Sequence, residues 1–162
     1  MYRGRHPLQW MLIDGVTEIP VAVHVMDEGI DTGPILAQAS VKTDMNETYT
    51  SALAKVTDTV GPMLIKAMDR IEAGQEALPQ LKKRPCLPRR TAADSEFSFN
   101  YPSKKVHDFI NAMSDPMPNA FSGSHTYKRS YIGERPGEVL ATCTDGRYVI
   151  STFDGVVLVD RA

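Results

Sequence analysis

The side chains in this chain best placed to do chemistry fall in three short groups. Asp31 lies in Gly29-Ile30-Asp31-Thr32-Gly33-Pro34, where two glycines and a proline fit a tight, preformed loop. A carboxylate fixed in such a loop can manage protons for a reaction. An aspartate in a glycine turn also commonly satisfies backbone amides, so the loop alone leaves both roles open. His24 stands in the apolar run Val21-Ala22-Val23-His24-Val25-Met26. A histidine there usually bonds a neighbour; close to a working carboxylate it would contact substrate or hold the Asp31 loop. Asp27-Glu28-Gly29-Ile30 forms the turn between the two, and Arg3-Gly4-Arg5 makes a short basic start. Cys86 and Cys143 are too few and too far apart for a disulfide framework or a metal site, so no metal is expected.

The elements that must position these residues are legible from spacing. Pro7 suits the first turn of a short helix that carries Leu8, Trp10, Met11, Leu12 and Ile13 and stops at Gly15. The β-branched run 21–26 reads as a largely buried strand and 35–41 as a second one, with the Asp31 loop between them. Over 46–73, Leu53, Val56, Val60, Leu64, Met68 and Ile71 recur at spacings of three and four, one face of an amphipathic helix. Asn46 or Thr48 is its expected cap and Gly74 its end, with a bend or break at Gly61-Pro62.

Residues 75–100 are rich in proline and basic side chains, among them Lys82, Lys83, Arg84, Arg89 and Arg90, and read as a solvated interdomain crossing. A short helix over 102–113 follows, capped by Ser103. Strands at 139–143, 148–152 and 156–159 are then joined by the turns Asp145-Gly146 and Asp154-Gly155. The division expected is 1–74, 75–100 and 101–162.

Charge and hydropathy narrow the function classes. A formal net charge of -2 gives no electrostatic case for a nucleic-acid platform. Apolar runs of about five or six residues fall far short of the roughly 20 that span a bilayer, so no membrane association is expected and the location expected is cytoplasmic.

Two blocks in this order carry a family resemblance: Tyr2-Arg3-Gly4-Arg5-His6-Pro7-Leu8-Gln9-Trp10, then Val23-His24-Val25-Met26-Asp27-Glu28-Gly29-Ile30-Asp31-Thr32-Gly33-Pro34-Ile35-Leu36. The sequence resembles the folate-dependent formyltransferases, which include methionyl-tRNA formyltransferase and the sugar-nucleotide N-formyltransferases. The likeness continues through Arg89-Arg90-Thr91, Phe97-Ser98-Phe99 and 106–112 to Asp154-Gly155. One departure is Gly15-Val16-Thr17-Glu18-Ile19-Pro20, which lacks the family's usual glutamate, second glycine and threonine before the strand.

The resemblance implies an α/β fold: 1–74 as the rear part of a Rossmann-like formyltransferase domain, and 101–162 as a helix plus a small OB-like β-barrel. It implies 10-formyltetrahydrofolate as cosubstrate, with an amine attacking the formyl carbon through a tetrahedral, oxyanion-bearing intermediate. Asp31 corresponds to the catalytic aspartate. Asp27, Glu28, Gly29 and Ile30 correspond to the turn lining the pterin pocket, and Arg3, Gly4 and His24 to positions near the acceptor. Pro7 and Trp10 behind the Tyr-Arg-Gly-Arg run look more like the sugar-nucleotide enzymes, which implies a nucleotide-linked amino sugar as acceptor in preference to tRNA.

In the family an Asn-x-His pair supplies the oxyanion donors just ahead of the Tyr2-Arg3-Gly4 segment, and no Asn-x-His triplet occurs in the 162 residues. The chain alone is therefore expected to be inactive, and its exposed sheet edges to favour a homo-oligomer or association with a missing N-terminal half. Methionyl-tRNA formyltransferase, a non-catalytic interaction module and a formyltetrahydrofolate hydrolase are the other readings.

Overall fold

The computed structural model describes residues 2–80, 86–132 and 147–161. Helix α1 (Pro7–Ile13) starts on proline, as its sequence predicts, and buries Gln9, Met11 and Leu12. Strands β1 (Glu18–His24) and β2 (Ile35–Lys42) form an antiparallel pair, with Glu18 opposite Lys42 and an irregularity at Val23/His24. The pair begins earlier than the apolar run suggests. Only Ile19 of β1 is buried, whereas Val25 and Met26 stand exposed beyond the strand, so this is not the largely buried strand expected. Pairing rather than apolar content sets the boundary: the Val25 N–H donates to the Pro34 carbonyl at 2.9 Å and closes the base of the 25–34 loop.

Helix α2 (Tyr49–Glu72) is capped by Thr48 through reciprocal bonds with Ser51. It runs unbroken through Pro62, so of the bend or break expected there the break does not occur. Its buried residues are Ala52, Met63 and Ala67, whereas Leu53, Val60, Leu64, Met68 and Ile71 are exposed. The periodic stripe is present but most of it faces outward: of its residues Val56 packs against the core, beside the buried Ala52. Met11, Leu12, Ile19, Val41, Ala52 and Ala112 form the core beneath it; full burial of a side chain like Ile19 contributes roughly 2 kcal/mol.

Segment 75–100 is mostly exposed among the described residues, with Ser95 and Phe97 buried, and backbone bridges tie it to the rest of the chain. Leu78 bridges Ile35, Leu87 bridges Gly4 and Glu96 bridges Phe121. Arg90 lies 4.7 Å from the Trp10 ring centre and 5.6 Å from that of Phe109, and burial pushes its guanidinium pKa down. Lys82, Lys83 and Arg84 lie outside the described residues.

Helix α3 (Ser103–Ala112) is capped from a distance, not by Ser103: the Ser103 N–H donates to Asp154 Oδ1 at 2.7 Å. Behind it β3 (Ala120–Ser122), β4 (His125–Tyr131), β5 (Tyr148–Ser151) and β6 (Val156–Arg161) form an antiparallel sheet in the order β3-β4-β6-β5. Phe97, Val106, Ile110, Met113, Tyr127, Val157 and Val159 fill the space between helix and sheet. The described strands make an open sheet and no closed barrel is found among them; the strand expected at 139–143 lies outside the described residues. The chain is thus a small α/β assembly of two antiparallel sheets and three α-helices among the described residues. The two cores abut where α1 meets α3, with the Gln9 side-chain amide on Met113 Sδ at 2.9 Å. No helix is long and apolar enough to cross a membrane among the described residues.

Candidate functional site

The loop between β1 and β2 holds Asp31 in a left-handed conformation, φ 51, which aspartate tolerates better than most residues. Its neighbours leave little freedom. Asp27 Oδ1 accepts from the Gly29 N–H at 3.0 Å and from Thr32 Oγ1 at 2.5 Å, and these bonds, the Thr32 hydroxyl first, hold the Asp27 carboxyl below the usual carboxylate range. Gly33 passes so close to the loop's base that a Cβ there would lie 1.7 Å from the Val25 carbonyl oxygen. Only glycine fits.

Both oxygens of Asp31 are engaged. Oδ2 accepts from the Gly4 N–H at 3.0 Å, and Oδ1 lies 3.7 Å from His24 Nε2. The other ring nitrogen, Nδ1, sits 2.9 Å from the Val25 carbonyl, which can only accept, so Nδ1 carries a proton. Nε2 is therefore the nitrogen offered to the carboxylate. At 3.7 Å the two groups are too far apart for a direct hydrogen bond, and both side chains are partly exposed, so a substrate can reach them.

The Arg3-Gly4-Arg5 segment is held by Leu87, from the middle of the chain. The Leu87 N–H donates to the Arg3 carbonyl at 2.7 Å and the Arg5 N–H to the Leu87 carbonyl at 3.3 Å. Gly4 has φ 98, and a Cβ on it would meet Cys86 Cβ and the Leu87 nitrogen at 2.9 Å. Arg3 is buried, 6% exposed, with Nη2 donating to Gln80 Oε1. Its guanidinium faces Gln80 and not the open side of the loop.

The structure thus brings together Asp31, His24, Gly4, Asp27 and Gly29. Glu28 and Ile30 stand exposed on the loop, with Ile30 64% exposed. Reading the sequence missed Thr32, Gln80 and Leu87. Thr32 forms part of the loop motif, but Gln80 and Leu87 sit in an aperiodic stretch that carries no signal for contact with residues 3 and 4. A separate cleft, lined by Ile35, Leu36, Lys66, Arg70 and Leu78, lies between β2 and the end of α2 and does not include Asp31. No group of three or more His, Cys, Asp or Glu could hold a metal ion among the described residues.

Comparison with known proteins shows what this geometry resembles. The formyl transferase family model matches residues 1–68. Among solved structures, the N-formyltransferase from Helicobacter canadensis in complex with folinic acid and dTDP-3-aminofucose is 20% identical with a TM-score of 0.78, covering 99% of this chain and 61% of its own. Methionyl-tRNA formyltransferase from Clostridium thermocellum is 19% identical, TM-score 0.71, covering 99% of this chain and 62% of its own. HypX from Aquifex aeolicus in complex with tetrahydrofolic acid is 21% identical, TM-score 0.70, covering 97% of this chain and 29% of its own. The chain therefore spans less than two thirds of each of these proteins, and the likeness to them is one of fold. Residues 1–68 match the formyl transferase family model, and the chain shares its fold with these solved structures.

Proposed function

We propose that this chain forms part of a sugar-nucleotide N-formyltransferase, which moves a formyl group from 10-formyltetrahydrofolate to the amine of a nucleotide-linked amino-deoxysugar, with Asp31 as the working carboxylate. The observation that carries the reading is the Asp31 carboxylate itself, held on one side by the Gly4 N–H and facing an imidazole nitrogen on the other. An amine that gains an acyl group must lose a proton, and an accessible carboxylate beside a histidine can receive it and pass it on. The Helicobacter canadensis structure, with folinic acid and dTDP-3-aminofucose, supports both halves of the substrate pair.

The residues around the loop fit a folate. Met26 and Ile30 are large, apolar and exposed in the 25–34 loop that carries Asp31, and such side chains favour the face of a flat heteroaromatic ring. Residues 27–30 then line the pterin through backbone groups. His24 orients Asp31, and Gly4 and Arg3 shape the acceptor side. Asp31 alone does not supply donors for an oxyanion, and no Asn-x-His triplet lies in these residues. On this reading the 162-residue chain binds folate without turnover, and catalysis needs a polypeptide that brings Asn-x-His donors to the same place, within one chain or by association. The setting is cytosolic, and residues 101–162 form an OB-like accessory unit, with 75–100 as the crossing.

The test is formyl transfer by this chain joined to a polypeptide carrying the Asn-x-His donors ahead of Tyr2. Amino-sugar nucleotide and charged initiator tRNA are offered in parallel. Turnover with the sugar nucleotide is expected. Turnover with tRNA alone would replace this reading with methionyl-tRNA formyltransferase, and formate release without an acceptor would point to a hydrolase. Failure of the chain to bind 5-formyltetrahydrofolate would favour a non-catalytic module.

A further inference from the structure

The geometry points to Gln80 as a positioning residue for Asp31. Its carboxamide joins the two segments whose meeting defines the site. Oε1 accepts from Arg3 Nη2, and Nε2 donates to the Gly33 carbonyl at 2.6 Å. Arg3 adjoins Gly4, whose N–H binds Asp31, and Gly33 lies two residues beyond Asp31. The contacts therefore close a ring: from Asp31 to Gly4 by hydrogen bond, to Arg3 by the chain, to Gln80, to Gly33, and back to Asp31 by the chain.

The chemistry of each partner leaves Gln80 a single orientation. A guanidinium only donates and a backbone carbonyl only accepts, so the carbonyl end must face Arg3 and the amide end Gly33. Glutamate at this position would keep the bond to Arg3 and set a carboxylate oxygen against the Gly33 carbonyl. Leucine would lose both bonds and leave buried Arg3 without this partner. Leu87 grips the backbone on both sides of Gly4, so the 3–5 segment cannot follow Asp31 if the loop shifts. The aperiodic stretch 75–100 thus does more than connect two units: its residues set where the carboxylate and the Gly4 N–H meet.

The functional consequence rests on the reading of Asp31 as the working carboxylate; the geometric claim does not. It is tested on the chain as it stands, by following the Gly4 amide shift by NMR through the titration of Asp31. Asp31→Asn should abolish the pH response of the Gly4 amide. Gln80→Leu and Gln80→Glu should cut its amplitude at least twofold while the amide signals of β4 and β6 stay in place, a change that loss of general stability alone would not produce. A full response at Gly4 in either variant would overturn the assignment. Loss of formyl transfer in the joined enzyme would be a separate result: a Gln80 effect on the Gly4 amide without any formyl transfer would leave Gln80 in its role and remove the proposed reaction.

Discussion

Asp31 and Gly4 meet across 27 positions of sequence, the Gly4 N–H donating to Asp31 Oδ2 at 3.0 Å. One partner is a loop residue with a left-handed backbone, and the other has φ 98 with no room for a side chain. A backbone donor has no side-chain freedom to lose on forming this bond, so the carboxylate is held by the most rigid group available.

The 25–34 loop depends on Gly33. Gly33→Ala would place a methyl group 1.7 Å from the Val25 carbonyl oxygen, and since backbone blocks it the loop must move. The expected cost is about 1–3 kcal/mol, as for other overpacked sites. Urea denaturation measures it. The Gly4 amide should also lose its response to Asp31.

His107 makes stability depend on pH. It is 1% exposed, with Nε2 on the Met45 carbonyl at 2.8 Å. Burial pushes its pKa below 6.5, outweighing the raising effects of the Met45 bond and nearby Asp108; Lys104 adds a lowering effect. The unfolded chain therefore binds a proton more readily than the folded one. His107 costs nothing above the unfolded value, and stability is lost as pH falls from about 6.5 toward the lower folded pKa. Urea midpoints at pH 7.5 and 5.5 should differ more in the parent chain than in His107→Gln, which keeps a donor for Met45. Equal pH dependence in the two proteins would contradict this.

The two faces of α2 should respond in opposite ways to substitution. Ala67 is 3% exposed, so Ala67→Leu should destabilise by about 1–3 kcal/mol. Met68, 59% exposed, is next in sequence, and Met68→Gln should change the stability of the chain by about 0.5 kcal/mol or less. Thermal unfolding of both variants checks the assignment, and a larger loss for Met68→Gln would reverse the faces.

The helix was legible in the sequence, but its orientation was not. Spacings of three and four reveal a stripe on α2 and say nothing about what covers it; here Ala52 and Ala67, which contribute little to any periodicity, are buried with Met63. The Asp31 loop was legible because Gly29, Gly33 and Pro34 leave few conformations open. Strand β4 was missed because only Tyr127 and Ser130 of His125–Tyr131 are buried, and the irregularity between Tyr127 and Arg129 breaks the alternation that would mark a strand. The cap of α3 was misread for a related reason: the carboxylate that binds the Ser103 N–H comes from Asp154, 51 positions away. Gln80 escaped notice because its partners are distant in sequence and its own surroundings show no period.

The most direct test of the central claim is the rate of formyl transfer by the joined enzyme with Asp31 changed to Asn, a substitution that keeps the side chain's shape and one acceptor oxygen for the Gly4 N–H while removing the charge. If Asp31 handles the proton, kcat should fall by about 100-fold or more with folate binding retained. A variant that turns over at the parent rate would contradict the account.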